Sequence, residues 1–284
     1  MKQIISASRR SDLIAFFPDW LEQCLHWEKA VVYGPCRNQY TVDLSPERVH
    51  TLVLWSKDFS NLILDKNNLL QQMRKYDQMY LHFTITGLGG TLIEKNAPLP
   101  HEAFQQLNEL IKITENPRRI TVRFDPVVFW KKKKTRTSNL RFFEQLAPEL
   151  STRGITDIRI SFVQWYGKSK ARALKHEFAY LDPTEEEKIK AARYLVETAQ
   201  KWGLNLYSCS QNFLTVLDGI SPSSCINGPL LQRLHPGQEP VSVKKDNSQR
   251  KECRCTESVD IGSYLQSCPH ACLYCYANPS LDDS

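Results

Sequence analysis

Short apolar runs alternate with stretches of helical spacing along the first 208 residues of this chain. Residues 4–8 read as a short buried strand. Residues 11–28 then place Leu13, Phe16, Phe17, Trp20, Leu21, Cys24 and Leu25 at helical spacing, with Pro18 in the first turns or at a break. Residues 30–33 and 40–44 predict a hairpin around Gly34-Pro35. Beyond it the two periods take turns. Strands are expected over residues 51–55, 79–84, 119–124, 157–162 and 204–207. Helices are expected over 62–75, 102–114, 140–150 and 184–202, the last opened by Asp182-Pro183-Thr184 with acids in its first turn. About six strands alternating with about five helices is the pattern of a parallel α/β architecture.

No G-x-G-x-x-G follows the first strand and there is no Walker P-loop, which argues against a doubly wound nucleotide fold. A partial (β/α)6 barrel of the TIM type fits better. After residue 204 Pro, Gly, Ser and Cys rise and the helical period fades. The chain therefore divides into a β/α barrel-like part, residues 1–208, and an irregular, cysteine-rich, metal-binding tail, residues 209–284, packed on the barrel mouth.

Composition adds three constraints. With 284 residues, 41% of them hydrophobic and 24% charged, the chain can bury an ample core. No apolar stretch is long enough to span a membrane and no secretory signal opens the chain, so a cytoplasmic location is expected. A reducing compartment makes the nine cysteines metal ligands rather than disulfides. The net charge of +6 is compatible with anionic partners, nucleic acid included, without requiring them. Its one dense basic run, Lys131-Lys132-Lys133-Lys134 followed by Arg136, reads as a solvated loop ahead of a phosphate-contacting patch.

The chemistry concentrates at the C-terminus. Cys268, Cys272 and Cys275 form a C-x3-C-x2-C run with Tyr274 before the last cysteine. Three thiolates this close can hold three corners of a [4Fe-4S] cluster and leave the fourth iron open for chemistry. The competing reading is a structural zinc site completed by a fourth ligand such as His270. Zinc more often uses paired C-x2-C knuckles, and the iron–sulfur reading is preferred. A second set follows from counting. Seven of the nine cysteines lie after residue 208. Outside the terminal run these are Cys209, Cys225, Cys253 and Cys255, a four-thiolate set suited to a second [4Fe-4S] cluster or to zinc. Cys24 lies on the apolar face of the first helix and is expected in the core, and Cys36 is left over.

The terminal spacing resembles that of radical S-adenosylmethionine (SAM) enzymes, and the run through Cys268, His270, Cys272, Tyr274, Cys275, Tyr276 and Ala277 is most similar to spore photoproduct lyase and its relatives. That resemblance implies SAM on the open iron. It also implies reductive cleavage to a 5′-deoxyadenosyl radical, and an electron donor such as flavodoxin or ferredoxin. In radical SAM enzymes the cysteines follow the first strand of the barrel, near the N-terminus. Here they close the chain, which implies circular permutation. Over nearly its whole length the chain resembles a bacterial family of unknown function. That family opens with SASRR-[ST]-D, here residues 6–12, and closes with the cysteine run, here residues 268–278. Between them it carries Arg123, Asp125 and Pro126, then Cys209, and then a block with Asp246, Gln249, Arg250, Cys253 and Cys255. Many relatives have Gly where this chain has Ala271.

In β/α barrels the C-terminal strand ends carry the active site. Here they supply Arg9, Arg10 and Asp12, then Lys57, then Arg123 and Asp125, then Ser161, Gln164 and Trp165, and finally Ser208. Arginine pairs bidentately with carboxylate or phosphate, so Arg9, Arg10 and Arg123 are candidates to grip the SAM carboxylate or an anionic substrate. Asp12 and Asp125 would orient them or bind ribose hydroxyls. Structural ion pairs at loop starts are the alternative for each. His82 is expected as a hydrogen-bonded core histidine, and Trp55 and Trp165 as packing or a pocket floor. The expected activity is a radical SAM-like reaction on an unknown substrate. The rival readings are a metal-stapled nucleic-acid-binding module, an iron–sulfur electron-transfer protein, and a radical enzyme acting on nucleic acid.

Overall fold

A computed structural model describes residues 1–34, 38–277 and 279–280. Its centre is an eight-stranded, wholly parallel sheet within a mixed α/β fold. The strands are β1 (Gln3–Ala7), β2 (Val49–Ser56), β3 (Met79–Thr84), β4 (Ile120–Val127), β5 (Asp157–Phe162), β6 (Asn205–Ser208), β7 (Ile220–Pro222) and β8 (Val259–Asp260). Strands β1 to β7 lie side by side in chain order, and β8 returns to pair with the free side of β1. Among the described residues β7 and β8 remain the two edges.

The period-2 alternation of these strands separates two faces. Ile5, Ala7, Leu52, Leu54, Leu81, Phe83, Val122, Phe124, Ile158 and Ile160 join the main core with the helix residues Leu21, Leu62, Leu107, Leu146 and Leu195. All the long crossover helices therefore cover one face. The other face carries Ile4, Val53 and Tyr80. It is closed by residues from beyond position 208: Cys225, Ile226, Leu230, Leu231, Leu234, Val241 and Cys255. On that inner face sit Ser6, Thr51, His82, Thr121 and Arg159, polar side chains that are nonetheless buried. A buried polar row of this kind is sustained by internal partners. Arg159 donates to Thr121 Oγ1 at 2.7 Å, and His82 Nε2 meets the Cys225 carbonyl at 2.8 Å.

Strands 79–84 and 157–162 match the sequence reading residue for residue, and the hairpin forms from Lys29–Tyr33 and Gln39–Asp43. Pro35, Cys36 and Asn278 lie outside the described residues. The helix expected over 11–28 is two helices, Leu13–Phe16 and Pro18–His26. Asp12 caps the first, and Pro18 opens the second at the position where its missing N–H costs nothing. The helix expected over 62–75 is also divided, into Ser60–Ile63 and Leu69–Met73. Between them Asp65, Asn67 and Asn68 adopt positive φ, a conformation that Asp and Asn tolerate.

Among the elements without a sequence expectation are β7, β8 and the helices Gly167–Lys175 and Gly228–Leu234. The lysine run, expected as a loop, is the tip of a β-hairpin formed by Phe129–Lys132 and Thr135–Ser138, with all four lysines solvent-exposed. The segment after residue 208, expected to be irregular, adds a strand to each edge of the sheet. Its passage beside the first loop is tight: a Cβ on Gly262 would lie 1.9 Å from Ser8 Oγ. Cys24 is buried in the main core as expected, and burial pushes its thiol up to about 12.

Candidate metal centres

The terminal cysteine run leaves the sheet from β8 and lies against the C-terminal ends of β1, β2 and β3. Asp12 is the hinge of this arrangement. It is buried, caps Leu13–Phe16 through Ala15 N–H, and accepts from Ser56 Oγ at 2.8 Å and from Lys57 N–H at 2.9 Å. Its other partner is His270 Nε2 at 2.7 Å, while His270 Nδ1 meets the Asn96 carbonyl at 3.1 Å. Both ring nitrogens of His270 are thus hydrogen-bonded to oxygen partners. The loop after β3 holds the run as well. Leu273 N–H donates to the Ile93 carbonyl at 3.0 Å, and Asn96 Nδ2 donates to the Pro269 carbonyl at 2.7 Å.

The three thiols are buried or half-buried, and burial raises each of them: Cys268 to about 12, Cys272 well above its ordinary value, and Cys275 upward. Backbone N–H groups of His270 and Asp12 hydrogen-bond the Cys268 sulfur, and that of Ala277 the Cys275 sulfur. Donors aimed at sulfur suit thiolates that carry a metal, because such bonds tune metal–sulfur sites. Beside Cys272 stands Lys57. Burial alone would lower this lysine, but the Glu94 carboxylate and the Cys272 sulfur raise it. Glu94, only 2% exposed, is the centre of this polar knot. It pairs with Lys57 Nζ at 3.0 Å and accepts from Thr86 Oγ1 at 2.8 Å and from the Tyr274 hydroxyl. On the far side Arg172, from Gly167–Lys175, donates to the Cys275 and Leu273 carbonyls. Glu94 and Arg172 were not anticipated. A lone acid in a loop and an arginine in a short basic helix carry no local signature.

The second sulfur set lies on the inner face near the ends of β4 and β6. The Cys209 and Cys225 sulfurs are 3.6 Å apart, and Cys255 hydrogen-bonds both Cys225 and Cys253, so the four thiols form a string. Hydrogen bonding within the string, first with Cys209, lowers the Cys225 thiol well below its ordinary value. Cys225 accepts a hydrogen bond from Cys209, competes with Cys253 for the single S–H of Cys255, and lies 3.1 Å from Arg123 Nη1. Cys209 and Cys255 are correspondingly raised, while Cys253 is lowered to about 6 by the hydrogen bond from Cys255. Arg123 also pairs with Asp125, which accepts from Ser161 Oγ. Burial would lower this guanidinium, but Asp125 and Cys225 keep it firmly charged. Its cationic face lies 5.2 Å from the ring of Trp55, which stacks on His82 at 4.0 Å.

The remaining expected residues have structural partners. Arg9 donates to Ser258 Oγ at 3.0 Å and lies 3.6 Å from Asp260 and 3.9 Å from Asp246. Arg10 donates to the Gly262 carbonyl at 2.6 Å and lies over Tyr264. Both thereby tie the tail to the first loop. Trp165 packs on Phe178 and Tyr180.

Among the described residues, one group of three puts its ligand atoms within 4.8 Å of one another: Asp77, His235 and Glu239, at the N-terminal ends of the strands. Lys2 Nζ already fills it, 2.9 Å from Asp77 and 3.0 Å from Glu239. His235 Nδ1 accepts from Gly237 N–H at 3.2 Å, which leaves the proton on Nε2. The group is therefore an ion-pair lock rather than a vacant ligand set, and the cysteine sets are spread more widely than it is.

A one-sided parallel α/β sheet with two groups of buried and half-buried cysteines on its inner face and upper rim is the class of protein these features define. The chain belongs to the family described as Domain of unknown function (DUF1848), whose profile matches residues 4–277. No curated protein matches the sequence significantly. Among solved structures it is similar to morphinone reductase in complex with tetrahydroNAD, at 14% identity and a TM-score of 0.32. That likeness covers 86% of this chain and 62% of the other, so this chain spans less than two thirds of its length. No described helix is long and apolar enough to cross a membrane.

Proposed function

We propose that this protein is a radical SAM-like iron–sulfur enzyme on a circularly permuted, incompletely closed β/α barrel. The observation that carries this reading is the position of the terminal cysteines. They follow β8, and β8 lies beside β1 as the first strand in spatial order. A motif at the end of the chain thus leaves the sheet where a first-strand motif would. The consecutive, one-sided winding of β1 to β7 is that of a barrel cut before closure.

Cys268, Cys272 and Cys275 would hold a [4Fe-4S] cluster, and SAM would complete its open iron. When bound, these groups supply one-electron reduction of the sulfonium and the hydrogen-abstracting radical. This chain's own residues do the rest. Backbone N–H groups stabilise the Cys268 and Cys275 thiolates. Lys57 places a cation beside Cys272. Glu94 fixes Lys57 and the Tyr274 hydroxyl, and Asp12 fixes the loop through His270. The second set would hold an auxiliary cluster. The Cys209–Cys225 separation of 3.6 Å is close to that of two sulfurs on one zinc ion, about 3.8 Å, so zinc is the alternative occupant of this set. Arg123 would balance its charge.

The test is anaerobic loading with iron and sulfide, then reduction and EPR with and without SAM. A reduced-cluster signal that changes with SAM, together with 5′-deoxyadenosine release, is expected. Zinc in place of iron, or a spectrum indifferent to SAM, would overturn the enzyme.

A further inference from the structure

Charge on this molecule is sharply localised. Residues 128–181 hold twelve Lys and Arg against four Asp and Glu, a surplus of eight. The whole chain has +6, so the remainder is slightly acidic. The fold gathers much of this surplus on one rim. The lysine hairpin pairs through Trp130 with Tyr180, and Lys131 N–H donates to the Ala179 carbonyl at 2.8 Å. Trp130 also packs on Phe178, 6.3 Å between ring centroids. Phe178 lies three residues beyond Gly167–Lys175, the basic helix whose Arg172 grips the backbone of the cysteine run. The hairpin and helix are therefore one ledge beside the terminal cysteines, with Lys131 to Lys134, Lys168 and Lys170 exposed on it.

Aromatic surface lies at the inner end of this ledge. Tyr276, next to Cys275, is 58% exposed, and Tyr166 lies 6.3 Å from it. The exposed Arg250 lies over both rings, at 5.3 Å from Tyr276 and 5.8 Å from Tyr166. Separate lysines at the outer end and an arginine–tyrosine stack at the inner end answer the two chemistries of a nucleic-acid strand. Ammonium groups neutralise successive phosphates, and a π-face receives an unpaired base. An acidic protein would use the lysines but has no need of the stacked rings.

We infer that this ledge binds single-stranded nucleic acid and leads it to the terminal cysteine site. As a statement about substrate this rests on the enzyme reading above; as a statement about binding it does not. The strand's phosphates lie along the hairpin and helix, and one base stacks on Tyr276 beside the site.

The experiment is fluorescence anisotropy of the iron-loaded protein with labelled single-stranded DNA, single-stranded RNA and duplex across a salt series. 5′-Deoxyadenosine release is measured on the same preparation. Single strands should bind in preference to duplex, and the logarithm of affinity should fall with the logarithm of salt by about 0.7 for each phosphate neutralised. Replacing Lys131 to Lys134 with alanine should flatten that slope by about 2–3. Tyr276→Ala should cost roughly tenfold in affinity and leave the slope unchanged. The hairpin lysines are exposed, so their loss should leave circular dichroism and iron content intact. Binding that is absent at low salt, or that ignores the lysines, overturns the inference, as does capture of an acidic redox protein by the same lysines without oligonucleotide binding. Strand binding without SAM cleavage would keep the surface and sink the enzyme. SAM cleavage without strand binding would do the reverse.

Discussion

The two sulfur sites manage charge in opposite ways. In the inner set, four thiols hydrogen-bond one another and Arg123 already favours the Cys225 thiolate. That set is largely self-compensated. In the terminal run all three thiols are raised by burial, and their fixed partners are backbone donors and one lysine shared with Glu94. A neutral buried thiol is stable as a small apolar group, as at Cys24, so turning these three into thiolates needs a metal to draw the protons off. The contrast separates a site that can rest closed from one built around a guest.

The largest effect expected from this contrast is on metal content. Cys272→Ala should abolish the SAM-responsive signal while leaving the iron held by the inner set. Cys225→Ala should remove the inner group and leave SAM-responsive iron in place. Iron counting and EPR on both variants measure this. If either substitution empties both sites, the two are not independent, and the contrast fails.

Reactivity of the metal-free, reduced protein should separate the sites next. At pH 7 a thiol lowered to about 6 is about nine-tenths thiolate, and one raised to about 12 is ionised only on the order of 10⁻⁵. Cys253 and Cys268 are both half-buried, so access does not decide between them. Alkylation followed by peptide mass spectrometry should label Cys253 first. Its rate should rise as pH climbs through 6 and then level off, whereas labelling of Cys268 should keep rising far above neutrality. Equal rates at pH 7 would mean that the inner string does not stabilise a thiolate.

Much of this contrast was visible in the sequence and part of it could not be. The cysteine sets were legible because ligand spacing in the terminal run is local and because seven of nine cysteines crowd one end. The strand–helix alternation was legible because parallel strands buried on both faces read as apolar runs. What escaped is short or long-range. β8 has two residues, too few for any period, yet its pairing with β1 decides where the terminal run lands. Glu94 matters through Lys57, Thr86 and Tyr274, which approach it from three other parts of the chain. Arg9 and Arg10 illustrate the opposite case. Their place at a strand end suggested anion binding, but the tail they meet there gives them carboxylate and carbonyl partners.

Stability should register the difference less strongly. Asp12→Ala removes a helix cap and orphans the Lys57 N–H and His270 Nε2, while Ser56 keeps its Asp58 partners, a loss of roughly 2–4 kcal/mol in the metal-free protein. The inner set has no such keystone carboxylate, since Asp125 is held by Arg123 and Ser161 at the margin of the string. Chemical denaturation of Asp12→Ala beside Asp125→Ala measures the gap. A loss below about 1 kcal/mol for Asp12→Ala would show that the terminal run is not anchored through it.

The smallest effect comes from two turns that place cysteines. Ala271, just before Cys272, has φ 54°, and Ser210, just after Cys209, has φ 52°. A left-handed conformation costs a residue with a Cβ about 1–2 kcal/mol. Glycine removes that cost but gains about 0.4–1 kcal/mol of unfolded-state freedom. Ala271→Gly and Ser210→Gly should therefore each stabilise the metal-free protein by about 0.5–1 kcal/mol, while Ala271→Val should lower its thermal midpoint. The two sites would then diverge only on loading with iron. At the terminal run the bend at Ala271 presents Cys272 to a guest, so iron bound there selects the same backbone that glycine permits, and the stabilisation should persist. If Ala271→Gly destabilises the protein, the bend is not left-handed, and the approach of Cys272 to Lys57 must be drawn differently.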